Sequence, residues 1–275
     1  MQEHTRLPIG LFDSGMGGLT VLNAIAQRLP WEDLLYLGDT ARLPYGTKGR
    51  ETIIRYTLLA AKKLVERGMK MLVVACNTAT ANALPVLRKE LSPLPVVGVV
   101  EPGAQAAVTV SRNGHILVIA TEATIKSAVY EQAIVRLRPS ALCSAKACTL
   151  FVAMAEEGLM QGHIVEAMAH YYLDDLLCKG PDEKPDTMIL GCTHFPLLKQ
   201  TLAEVVGPDV TVVDPASNVA LAVHRELEVM GLLGDTSLKG KYHFMTTDNQ
   251  ERFARTGSLF LGRELRPEEV ELVDL

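Results

Sequence analysis

Two cysteines stand at the ends of apolar runs, and each leads into a short polar signature: Met71-Leu72-Val73-Val74-Ala75-Cys76-Asn77-Thr78 and Met188-Ile189-Leu190-Gly191-Cys192-Thr193-His194. A thiolate is both a nucleophile and a base, and a thiol is an acid. Two of them, delivered from equivalent strand ends, can address one small molecule from opposite sides. Racemisation is the simplest reaction with that symmetry. A helix opening at Cys76 would lower its thiol pKa from the free value of about 8.5, and Asn77 and Thr78 add hydrogen-bond groups there. Cys192 repeats the arrangement with His194 two positions on, an imidazole able to relay protons or, as a cation, to favour a thiolate. Either cysteine alone reads equally well as a small buried residue, and His194 beside Phe195 and Pro196 as a packed ring. The pair carries the reading.

Other segments supply the groups such chemistry needs. Asp13-Ser14-Gly15-Met16-Gly17-Gly18 is a loop of small residues opening a helix, and its backbone N–H groups could hold an anion. Asp13 or Ser14 as a mere helix cap is the plain alternative. The glycine spacing is not that of a dinucleotide fold, and no Gly-Lys-Ser/Thr follows, so neither a nucleotide fingerprint nor a P-loop is present. Asp39-Thr40-Ala41-Arg42-Leu43-Pro44-Tyr45-Gly46 describes a tight loop able to present Tyr45 and a backbone donor. Suppose a small chiral anion lies in a crevice. One thiolate removes its α-proton while the opposite thiol protonates the other face. Hydroxyl and amide donors at Ser14, Asn77, Thr78, Thr121, Thr124 and Thr193 would stabilise the developing charge. No metal set and no cofactor are expected: Cys143 and Cys148 have no matching partner pair, and together with Cys178 they read as packing residues.

The elements that must position these groups alternate along the whole chain. Ile9 to Phe12, Leu34 to Leu37, Met71 to Ala75, Val96 to Val100, Ile116 to Ala120, Met188 to Leu190 and Val210 to Val213 read as buried strands. Leu19 to Leu29, Glu51 to Glu66, Ala79 to Leu91, Ile164 to Leu177 and Val219 to Met230 read as helices. Such alternation describes an α/β fold with parallel sheets covered on both faces. Internal similarity divides it further. The segment at Ile9 resembles that at Ile116, the two cysteine segments lie 116 apart, and Glu101-Pro102-Gly103 resembles Asp214-Pro215-Ala216. The expectation is two pseudo-symmetric doubly wound parallel-sheet domains, 1–99 with 211–275 and 100–210, with the active site in the crevice between them. The tail from Gly234 reads as a strand-helix-strand addition to the first half and carries no assigned chemistry.

The formal net charge of -5 and the lack of a Lys/Arg cluster argue against nucleic acid as a partner. No run of about 18 uninterrupted apolar residues is present, so no membrane span is expected. Met1 to Leu7 has no apolar core of a secretory signal, and five cysteines, an odd number, fit a reducing cytoplasm.

In the combination Asp13-Ser14-Gly15-x-Gly17-Gly18, Pro44-Tyr45-Gly46, Ala75-Cys76-Asn77-Thr78-Ala79, Ala120-Thr121-x-x-Thr124 and Gly191-Cys192-Thr193-His194-Phe195-Pro196, the chain resembles the bacterial glutamate racemases of the cofactor-independent aspartate/glutamate racemase superfamily. The resemblance runs from Ile9 to about His224. It implies that Cys76 and Cys192 are the acid/base thiols, that Asp13 assists Cys76, and that His194 with Glu156 assists Cys192, with the adjacent Glu157 a competing choice. It further implies that Asp13, Ser14, Pro44, Tyr45, Gly46, Asn77, Thr78, Thr121, Thr124, Thr193 and His194, with both cysteines, hold glutamate. A cytoplasmic homodimer making D-glutamate for peptidoglycan follows from the same likeness. Ala120 stands where the family often has glycine, and Thr149 and Ala153 where prolines are common. Rival readings are an aspartate or hydantoin racemase of the same superfamily and a non-catalytic amino-acid-binding protein, which would need no paired thiols.

Overall fold

A computed structural model describes residues 5–177 and 184–275, and Cys178 lies outside the described residues. Among the described residues, ten strands form two sheets, all parallel. The first contains β1 (Ile9–Asp13), β2 (Leu34–Gly38), β3 (Met71–Val74), β4 (Val96–Gly98), β9 (Tyr242–Thr246) and β10 (Val270–Leu272), in the order β10-β9-β2-β1-β3-β4. The second contains β5 (His115–Ala120), β6 (Leu142–Ala147), β7 (Thr187–Gly191) and β8 (Thr211–Val213), in the order β6-β5-β7-β8. The inner order β2-β1-β3-β4 is therefore repeated by the second sheet, which is the topological form of the internal similarity in the sequence. In each sheet the winding reverses beside the central strand, between β1 and β3 and between β5 and β7, and such reversals open a crevice at the strand carboxyl ends.

Continuous apolar runs form these strands because both faces are covered. Ile9, Leu11, Met71 and Val73 pack into one apolar layer, while Phe12, Leu72 and Val74 pack into the layer on the other face. In the second sheet Leu117, Ile119, Met188 and Leu190 face one core, and Ile116, Val118 and Ile189 the other. Cys148 is buried in the former core and Cys143 is half-buried against the latter. Helix Ala216–Val229 returns to the first half, placing Val219, Val223 and Leu227 among Leu19, Leu22 and Ile25.

Several boundaries differ from the sequence reading. The fourth strand stops at Gly98, and Val100 already opens helix Val100–Val110. Residues Thr211–Val213 pair with β7, so the chain leaves the second sheet after Val213 rather than near 210. Strand β6 escapes the apolar pattern because Leu-Cys-Ser-Ala-Lys-Ala is a partly exposed edge with no β-branched residue. The tail is strand-helix-strand as expected, with β9 pairing β2 and β10 pairing β9. No described helix is long and apolar enough to cross a membrane.

At the opposite end of the first sheet, Lys70 and Glu32 form an ion pair with both side chains at most 2% exposed. Lys70 also donates to the Thr5 carbonyl, and Glu32 accepts the Gly234 N–H, so the pair ties the backbone at Thr5 and at Gly234 to the sheet. Removing one partner strands a buried charge, so Lys70→Met should cost about 3–5 kcal/mol in urea unfolding. The double change with Glu32→Leu should recover most of that. A single variant as stable as the parent would show that the pair contributes nothing.

Candidate active site

The register of the sheets brings the functional residues together. Phe12 is opposite Val74, and the Ala75 N–H donates to the Phe12 carbonyl at 2.8 Å, so Asp13 and Cys76 emerge from adjacent strands. Ala120 is likewise opposite Gly191, and Thr121 emerges beside Cys192.

Asp13 has no exposed surface. Its carboxylate accepts the Gly15 N–H at 3.0 Å, the Gly18 N–H, and the Thr193 hydroxyl at 3.3 Å from the other half. The amide-rich loop thus holds the protein's own anion, rather than a free one as its sequence suggested. Gly17 is dictated by close approach, since a Cβ there would lie 2.4 Å from Thr193 Oγ1 and 2.7 Å from His194 Nδ1. Burial raises the Asp13 pKa against the opposing pull of His194 and the amide donors.

Cys76 caps helix Asn77–Glu90, its sulfur accepting the Ala79 N–H at 3.4 Å while its thiol donates to Ser14 Oγ at 3.5 Å. Contrary to the sequence expectation, the thiol pKa is pushed up to about 12, by burial first and by the charge of Asp13 second. The helix terminus and Ser14 pull the other way and lose. Desolvation, with the charge of Asp13 added, outweighs the Ala79 N–H and the Ser14 hydroxyl.

Cys192 is not the same construction. No α-helix begins at it; a short 3₁₀ turn, Phe195–Leu198, follows instead. Its Sγ lies 3.9 Å from His194 Nδ1, and His194 Nε2 lies 3.1 Å from Glu156 Oε1. Burial alone would depress the imidazole, but its bonds to Cys192 and Glu156 prevail and raise its pKa to about 10. These contacts favour the imidazolium. The choice between adjacent carboxylates resolves in favour of Glu156, 9% exposed at its side chain, over Glu157 at 72%.

One small cavity is lined by Ser14, Pro44, Tyr45, Gly46, Cys76, Asn77, Thr78, Thr121, Cys192, Thr193 and His194, together with Leu43 and Val152. Asp13, Thr124 and Glu156 are not among the lining residues, so they would act through others. Tyr45 spends its hydroxyl on Asp39, at 2.6 Å, leaving its loop's backbone and ring to face the cavity. Asp39 is fully buried and also accepts Arg42 at 2.9 Å and Thr247 at 2.8 Å. The Asn77 carbonyl accepts the Tyr130 hydroxyl at 2.7 Å, which turns the Asn77 amino group to its free side. The hydroxyls of Thr78, Thr121 and Thr124 form a triangle with edges of 2.8, 3.2 and 3.1 Å, joining the two halves.

Sequence reasoning missed Leu43, Val152, Tyr130, Asp39 and Arg252. Asp39 was within sight, an acid six residues before the tyrosine. Tyr130 and Arg252 gave no signal, since each reaches the site only through folding. Among the described residues no group of three or more His, Cys, Asp and Glu is arranged to hold a metal ion.

The model of the Asp/Glu/hydantoin racemase family matches residues 14–223. A glutamate racemase from Geobacter metallireducens is 49% identical over 257 residues, 94% of this chain and 93% of that protein. Among solved structures, a glutamate racemase isoform from Bacillus anthracis superposes with a TM-score of 0.92 at 37% identity, covering 99% of each chain. A Francisella tularensis glutamate racemase in complex with D-glutamate gives 0.89 at 36% identity, covering 98% of each.

The packing at Gly17 is open to test. Gly17→Ala must displace Thr193 and His194, which are held by other bonds, and such overpacking costs about 1–3 kcal/mol. Urea unfolding of the variant should show that loss. Unchanged stability would mean the loop has room the geometry denies.

Proposed function

We propose, for a chain that belongs to the Asp/Glu/hydantoin racemase family and within it to the glutamate racemases, that it interconverts L- and D-glutamate by proton transfer at Cys76 and Cys192, with no cofactor. The observation that carries this reading is that two thiols from equivalent strand ends line one cavity, each backed by a different titratable group. A structural neighbour that binds D-glutamate supports glutamate as the ligand.

Bound glutamate would present its carboxylates to the Asn77 amino group, to hydroxyls of Ser14, Thr78, Thr121 and Thr193, and to the backbone at Tyr45 and Gly46. Donors aimed at the α-carboxylate stabilise the charge that spreads onto it when the Cα–H bond breaks. One thiolate takes that proton, the electron pair stays on the carbon, and the opposite thiol delivers its own proton to the other face. One thiolate is consumed and one is formed. At rest the tightly held proton on Cys76 makes it the acid, which leaves the base's role to Cys192, beside His194. The return reaction needs the Cys76 thiolate. Starting from rest, Asp13, whose pKa burial raises, accepts the Cys76 proton for that step while His194 supplies a proton to Cys192. We further propose, as the resemblance in sequence implies, a cytoplasmic homodimer supplying D-glutamate for peptidoglycan.

The test is incubation of each glutamate enantiomer in deuterated water without added cofactor, following optical rotation and α-proton loss. Both should decay to zero rotation with deuterium at Cα. Cys76→Ala and Cys192→Ala should each lower interconversion by at least about a thousandfold, the upper part of what a positioned acid or base supplies. Unchanged turnover in either variant would sink the two-thiol scheme, and turnover of aspartate but not glutamate would sink the substrate.

A further inference from the structure

We infer that Arg252, on the C-terminal addition to the first sheet, is a positioning residue for the acid–base group on the Cys192 side, holding the Glu156 carboxylate on which His194 rests. The inference rests on the two-thiol reading and extends it to a helix that contributes nothing to the lining of the thiol cavity.

The contacts form a line from one half to the other. Arg252 Nη2 lies 3.5 Å from Glu156 Oε2, Glu156 Oε1 lies 3.1 Å from His194 Nε2, and His194 Nδ1 lies 3.9 Å from Cys192 Sγ. Glu156 ends the short helix Leu150–Glu156 of the second half, while Arg252 belongs to helix Gln250–Leu261 of the tail. That helix is anchored at its start, where the Asn249 side chain accepts the Arg252 N–H at 2.9 Å. It is anchored again by Phe253, buried against Tyr36 with ring centroids 6.1 Å apart. At its penultimate residue, Phe260 sets its ring against His194 in an edge contact at 5.2 Å. The tail therefore grips the imidazole directly and its carboxylate from behind.

Arg252 approaches from outside the ligand cavity. With Glu156, Met16 and Phe253 it lines a second cavity that shares only Leu43 with the first. Both oxygens of Glu156 are thereby occupied, Oε1 by His194 and Oε2 by Arg252. The charges facing His194 are Cys192 from its own loop, Asp13 from β1 and Glu156 from the helix beneath, with Glu157 and Arg252 behind Glu156. The three nearest favour the imidazolium. Arg252 opposes them by sharing the Glu156 charge, so His194 can still release its proton. Because Arg252 is about half exposed, solvent weakens this influence without abolishing it.

The experiment compares the full-length parent protein with Arg252→Gln and Arg252→Lys. It measures kcat and KM for both enantiomers across pH, and the titration of His194 by NMR of ring-15N histidine, assigned by its loss in His194→Asn. Arg252→Gln should lower kcat by roughly three- to tenfold while KM stays within about twofold, consistent with a screened ion pair acting on the chemical step. Its His194 should titrate at higher pH than in the parent. Arg252→Lys should restore most of both. Parental kcat with a parental His194 titration in Arg252→Gln would overturn the inference. So would a fall in kcat with no movement of His194, which a merely structural role would give. Turnover surviving in Cys192→Ala would instead overturn the two-thiol reading, whatever Arg252 does.

Discussion

Asp13 is a carboxylate with no exposed surface, and its burial conditions the rest of the site. A buried charge is tolerated only where donors replace water. Here the donors are two amides of the loop that follows and one hydroxyl, Thr193, that comes from the other half. The bond from Thr193 thus both satisfies Asp13 and links the two halves. The loop folds tightly enough to do this because Gly17 and Gly18 present no side chain, and at either position a Cβ would lie within 2.7 Å of an atom of Thr193 or Asp13. The same charge, beside Cys76, is what helps to hold that thiol's proton in place.

The two halves share strand order and strand ends but not electrostatics. Cys76 has an anion for a neighbour and the N-terminus of a long helix beneath it; Cys192 has a cation and a 3₁₀ turn. A reaction whose product mirrors its substrate requires that both proton transfers be feasible, not that both environments be alike. The two sulfurs therefore face unlike neighbours although their strand ends match. The topology supplies two like strand ends, and the charges around them make them unlike.

Around the thiols, polar groups are bonded to one another in advance. Tyr45 is committed to Asp39, Asn77 to Tyr130, and the three threonine hydroxyls to each other. Groups held this way need little reorganisation when charge develops, which is where electrostatic stabilisation is largest. The tail supports both walls: Thr247 bonds Asp39 behind the Tyr45 loop, and Phe260 packs on His194. An addition to the sheet that lines none of the thiol cavity still decides how firmly its walls stand.

Much of this was readable from the chain alone. Continuous apolar runs identified the buried strands because a parallel sheet covered on both faces needs no polar side, and the repeat of those runs revealed two like halves. Cys76, Cys192 and the hydroxyl-bearing segments were legible because strand-end loops are short and local. Edge strand β6 was not, since a half-exposed edge tolerates Ser, Lys and Ala where a central strand does not. Nor were the Cys76 proton affinity, the commitment of Tyr45 to Asp39, or the reach of Tyr130, 53 residues from Asn77, and of Arg252, 96 residues from Glu156. The sequence by itself determined which groups stand at which strand ends, because that depends on local pattern. Only the tertiary structure decided which of those groups face each other and how strongly each holds its proton, because desolvation and Coulomb interaction depend on distance through space and not along the chain.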